Sequence, residues 1–166
     1  MKLIEDLRHL FIHQIKDRYD SETQQVEVLQ QLKTKVHSIH LKRVLENCEN
    51  HAQKHLTSLD NLFSELQENG VGDICECSLG VITEMEKIIE RSINPVVTDM
   101  AILSAVKQLH SNDLSGYHLI LMYAHQVHDE TIIEALEQML KNERDLDILL
   151  DETIHSIIEK EAVYML

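Results

Sequence analysis

The chain has 166 residues, 43% apolar and 27% charged, which is enough for a real core. No apolar run approaches the roughly 18 residues that span a bilayer, and a net charge of −14, from 15 basic against 29 acidic residues, argues against nucleic acid or an anionic membrane as partner. Four glycines and one proline leave little material for tight turns and point to long helices, in a single domain spanning residues 1–166.

The first helical pattern covers Met1 to Val36, with a stripe at Ile4, Leu7, Phe11, Ile15, Tyr19, Glu22, Val26, Leu29 and Val36 in alternating threes and fours. The N-terminal MKLIEDLRHLF is amphipathic and carries acidic residues, so it does not read as a signal peptide and a cytoplasmic location is expected. Glu22 is the one carboxylate on this stripe. His9 and His13 lie off it and read as a solvated face.

A break at His37–His40 follows, with Ser38 as N-cap of the next helix. That helix runs to about Glu68 through Leu41, Leu45, Cys48, Ala52, His55, Leu59, Leu62 and Leu66, with His51 one turn before His55 on nearly the same face. Asn69-Gly70-Val71-Gly72 is expected to stop it. A shorter amphipathic segment, Cys75 to Ser92, carries Leu79, Ile82, Met85 and Ile89 on one side. The three cysteines, Cys48, Cys75 and Cys77, are an odd set without a disulfide framework and read as reduced thiols.

Asn94-Pro95 ends the short segment, and Thr98 or Asp99 is expected to cap a long helix to Val127. Its stripe is Val106, His110, Asp113, Tyr117, Ile120 and Ala124. His118, His125 and His128 mostly miss that seam, and Leu121, apolar and off it, hints at an interface. Asp129 is expected to cap the last helix, which reaches Ile158 through Ile133, Leu136, Leu140, Glu143, Asp147, Leu150, Ile154 and Ile157.

Short breaks make the first two and the last two long helices antiparallel hairpins. Almost thirty residues separate the second from the third, enough for a crossover along the bundle. The fold expected is therefore all-α: a ferritin-like antiparallel four-helix bundle with an additional short helix in the crossover.

Seven polar residues then converge near the mid-height of the four helices: Glu22, His51, His55, His110, Asp113, Glu143 and Asp147. Imidazoles and carboxylates are donors suited to Fe, Mn or Zn, and spacings of three or four put successive donors on one face. A buried polar layer that fixes helix register without metal is the alternative. No nucleophilic triad, phosphate-binding glycine loop or dinucleotide fingerprint is present.

The residues also carry a family resemblance. Leu10-Phe11, the run from Asp17 through Tyr19, Asp20, Ser21, Glu22 and Thr23 to Gln24, and Leu59-Asp60 with Leu62-Phe63 are its first part. Cys75 to Gly80 with Glu84, Val97-Thr98-Asp99 to Ala105, and Leu140 to Asp147 complete it. Across nearly its whole length the chain resembles the YciE/YciF-like group of bacterial ferritin-like proteins, whose function is not established. The resemblance implies a cytoplasmic homodimer connected with stress responses, and a rubrerythrin-like candidate di-metal site in which Glu22, Glu143 and Asp147 match acidic positions. His51 stands where that group usually has glutamate, His55 where glutamine is common, and His110 and Asp113 where a glutamate pair is usual. Exchanging carboxylates for imidazoles favours a single Zn-like or Mn-like site, or none, over a di-iron centre.

Three functions follow. The leading one is a stress-associated structural or binding protein with a degenerate inter-helical metal site. The second is a di-metal oxidoreductase acting on oxygen or peroxide, and the third a metal-free helical interaction module.

Overall fold

The computed structural model describes residues 3–127 and 130–162, with side chains to residue 159; the expected roles of His128 and Asp129 lie outside these residues. Five helices follow in order: α1 (Leu7–Leu32), α2 (Ile39–Leu66), α3 (Glu76–Arg91), α4 (Pro95–Val127) and α5 (Glu130–Ala162). There is no strand among the described residues. None of these helices is long and apolar enough to cross a membrane.

Local chemistry sets the helix ends. Asp6 caps α1 by accepting from His9 N at 2.7 Å, so Ile4 lies outside the helix and exposed rather than on its stripe. Ser38 caps α2 through Leu41 N at 3.2 Å, as expected. At the other end of α2, Gln67 adopts the left-handed conformation (φ 55°), with Glu68 N donating to Phe63 O and Gln67 N to Ser64 O. This is a Schellman closure made by a glutamine. The glycines after it serve close approach instead: a Cβ on Gly70 would lie 3.1 Å from the Phe63 ring, and one on Gly72 2.8 Å from Lys16 Cβ.

Pro95 is the first residue of α4, where its missing N–H costs nothing, and Asn94 Oδ1 accepts from Val96 N at 2.9 Å. Thr98 and Asp99 therefore lie inside α4 rather than at its cap. Asp99 still caps backbone, but that of another turn: its carboxylate accepts from His37 N at 2.8 Å and Ser38 N at 2.7 Å.

α1 neighbours α2 and α4, while α5 neighbours α4 and α2. Side-chain clusters give the directions. One joins Phe11 and Ile15 of α1 to Leu59 and Leu62 of α2, Ile120 and Ala124 of α4, and Leu136 and Leu140 of α5. The other joins Leu29 and Leu32 to Leu41 and Leu45, Ile102 and Val106, and Leu146 and Leu150. Early residues of α1 thus meet late residues of α2 and α4, so α1 is antiparallel to both, and α2 and α4 run parallel across the α3 crossover. The expected four-helix bundle with a crossover helix is what forms. Each fully buried leucine or isoleucine contributes about 1.5–3 kcal/mol, and the two clusters hold the bundle from either end. Between them lies a polar layer.

Candidate metal centre

The polar layer forms where each seam departs from apolar residues. On α2, His55 is 1% exposed and His51 sits one turn earlier at 17% side-chain exposure. On α5, Glu143 is 1% exposed, and α1 and α4 bring Glu22, His110 and Tyr117 to the same level. His51 Nε2 lies 3.0 Å from Glu143 Oε1, and His55 Nδ1 lies 3.1 Å from that oxygen and 3.0 Å from Glu22 Oε1. Tyr117 donates its hydroxyl to Glu22 Oε1 at 2.8 Å. His110 Nε2 donates to the Glu143 main-chain carbonyl at 2.8 Å, which leaves Nδ1 facing Glu143 Oε2 at 2.7 Å.

Burial disfavours the His55 imidazolium, but Glu143 and Glu22 outweigh it and raise His55 to about 9. His110 is raised as well, burial again being overcome by Glu143. Glu143 is held well below the carboxylate range despite burial, because His110, His51 and His55 surround it. Burial and the Glu22 charge push the Tyr117 hydroxyl far up, so its proton stays in place.

These donors fit a metal ion. His51, His55 and Glu143 each offer an atom within 4.8 Å of the others. Neighbouring ligands about 3 Å apart are what one ion with bonds of about 2.0–2.2 Å spans. His55 Nε2 is buried without a hydrogen-bond partner, the condition an ion or water relieves. A cavity of about 10 Å³ lies between Glu22, His51, His110, Asp113 and Glu143, about the room of one small particle. Cys48 lines it too, and burial together with Glu143 pushes that thiol up to about 12.

Two of the seven expected residues answer to other partners. Asp113 lines the cavity, but its carboxylate accepts from Arg18 Nη1 at 2.7 Å, from Ser21 Oγ at 3.0 Å, and from Gln25 Nε2. Burial and the Glu22 charge push Asp113 upward, and Arg18 pulls it back. Asp147 lies at the bundle edge, 2.5 Å from Lys107 Nζ and 3.7 Å from His110 Nε2. Leu146 takes the buried place beside it.

Arg18, Ser21 and Gln25 are the layer's residues that periodicity did not single out. Ser21 carries the network on to Ser78 Oγ of α3 at 2.7 Å. Cys75 is buried against Arg18 and Asp17, whereas Cys77 is exposed, so the two thiols do not face one site. His9 and His13 are half-buried on α1, away from the layer, and His118 and His125 are exposed. Leu121 packs against its own chain's core.

A family model described as a domain of unknown function, DUF892, matches residues 6–163. Protein YciF of Escherichia coli K12 is 23% identical over 163 residues, covering 98% of this chain and 96% of YciF. The fold is shared with the solved E. coli stress protein YciF at a TM-score of 0.88, with 21% identity over 95% of this chain and 99% of that one. It is also shared with YcfI of Rhodopseudomonas palustris, provisionally described as a structural protein, at 0.84 and 22% identity over 89% and 94% of the two chains.

Proposed function

The chain belongs to the DUF892 family, and we propose that it is a stress-associated structural protein whose central layer binds one divalent metal ion. The stress and structural parts of this reading come from YciF and YcfI, as those proteins are described. The metal part rests on one observation: His51, His55 and Glu143 converge within 4.8 Å, with buried His55 Nε2 lacking a partner.

In this reading His51, His55 and Glu143 hold the ion, and Glu22 and His110 flank it. Mixed imidazole and carboxylate donors suit Zn, Fe or Mn. A bound divalent ion would neutralise the buried carboxylates and tie α2 to α5. Tyr117 fixes Glu22, and the Glu143 carbonyl fixes the ring of His110. His51, the most exposed of these groups, marks the side from which an ion enters.

A two-metal oxidoreductase centre is less well supported, because Asp113 and Asp147 are engaged by Arg18 and Lys107. The stronger second reading is a metal-free layer that fixes helix register, favoured by the buried Arg18–Asp113 pair and the raised imidazoles. Metal content of tag-free protein decides between them, measured by mass spectrometry on wild type, His51→Ala and Glu143→Gln. Near-stoichiometric metal in wild type, lost in both variants, supports the centre. A wild type that stays metal-free after incubation with Zn²⁺, Mn²⁺ and Fe²⁺ sinks it and leaves the ion-paired layer.

A further inference from the structure

A guanidinium inside a helix bundle is costly unless every part of it is answered. Arg18 is 4% exposed, and both of its Nη groups are answered at close range while Nε has no partner. Nη1 donates to Asp113 at 2.7 Å and Nη2 to Asp17 at 2.6 Å. The Asn112 amide oxygen, turned towards it, accepts at 2.9 and 3.3 Å. A slot in α4 admits the side chain. A Cβ on Gly116 would lie 2.9 Å from Arg18 Cδ and 3.0 Å from Nε. Glycine is a poor residue for a helix interior, and the backbone of Gly116 is ordinary helix. Room for Arg18 accounts for it.

Asp113 stands on the border of two networks. It is held by Arg18, and it lines the small cavity with Glu22, His51, His110 and Glu143. Glu22, Asp113 and Glu143 bring three carboxyl groups into the layer.

We infer that Arg18 is a built-in cation that withholds Asp113 from metal and limits the layer to one ion. Without Arg18, Asp113 and Ser21 Oγ, which lie together at 3.0 Å, are hard oxygen donors free for a second divalent cation. This rests on the metal reading above for the wild-type stoichiometry, but the effect of Arg18 is read as a difference between proteins.

The test compares tag-free wild type, Arg18→Met, Arg18→Lys and Gly116→Ala, each stripped with chelator and titrated with Mn²⁺ calorimetrically, with bound metal counted after dialysis. One ion per chain is expected in wild type and Arg18→Lys. Two are expected in Arg18→Met and in Gly116→Ala, where the new methyl displaces the guanidinium. Adding Asp113→Asn to either should remove the second ion, and each melting temperature should rise over two equivalents rather than one. Should Arg18→Met not fold even with metal, Gly116→Ala decides. Equal stoichiometry in all folded proteins overturns the inference. A wild type that binds nothing overturns the metal-centre reading alone, since Arg18→Met would still be expected to gain an ion relative to it.

Discussion

Tyr117 and Glu22 meet at 2.8 Å in the middle of the bundle, each almost wholly excluded from solvent, with the phenol donating to Oε1. Tyr117→Phe keeps the ring and removes the donor, leaving a buried carboxylate short of one bond. A loss of about 1–3 kcal/mol is expected, measured by urea unfolding of metal-free protein. A change below a few tenths would show that Glu22 is satisfied without the phenol.

The metal-free protein should lose stability as pH rises from about 6.5 to 9. His55 is raised to about 9 in the fold, above an unfolded value near 6.5. Its contribution is therefore complete below the unfolded value and disappears as pH passes the folded one, on the order of 3 kcal/mol in all. His110 is raised and acts in the same direction. Metal binding runs oppositely, because imidazole ligands must first lose their protons. Thermal melts with chelator across this range check the first part; a flat or rising melting temperature contradicts it. The shift on adding metal should grow with pH.

Asp147→Asn should leave metal content at the wild-type level. Lys107 keeps Asp151 at 2.7 Å, and both Lys107 and Asp147 are partly exposed. The stability change is expected below about 1 kcal/mol. Metal loss equal to that of Glu143→Gln would instead place Asp147 among the ligands.

Two helical glycines should respond oppositely to alanine. A Cβ at Gly80 in α3 meets nothing within 4 Å, so Gly80→Ala should stabilise by about 0.5–1 kcal/mol. Gly116→Ala must displace Arg18 and should destabilise metal-free protein. Parallel denaturant titrations show whether the signs differ.

The expected α2 seam holds in the structure, with Leu41, Leu45, Cys48, Ala52, His55, Leu59, Leu62 and Leu66 all buried, though Val44, Glu49 and Phe63 beside it are buried too. Periodicity works there because almost every inward residue is apolar. On α1 it went astray, since Tyr19 and Val26 look like core and are only half-buried, while Arg18, Ser21 and Gln25 look like surface and are buried. Their burial depends on Asp113, a partner on another helix that no local pattern reveals. Asp147 illustrates the reverse ambiguity. Steps of three or four after Glu143 both continue a stripe, and packing selects Leu146 for the interior. The left-handed Gln67 carries no compositional signal, so the glycines behind it drew attention instead.

The polar layer also has a consequence for how the chain is made. Its charges are divided between the two hairpins, with Arg18, Glu22, His51 and His55 in the first and His110, Asp113 and Glu143 in the second. During synthesis the first hairpin emerges with Asp17 to answer Arg18 and with Glu22 and His55 to answer each other, but without the Asp113 and Glu143 carboxylates that complete the layer. The His37–Ser38 turn likewise awaits Asp99 of α4. The layer is therefore complete only when α4 supplies Asp113 and α5 supplies Glu143.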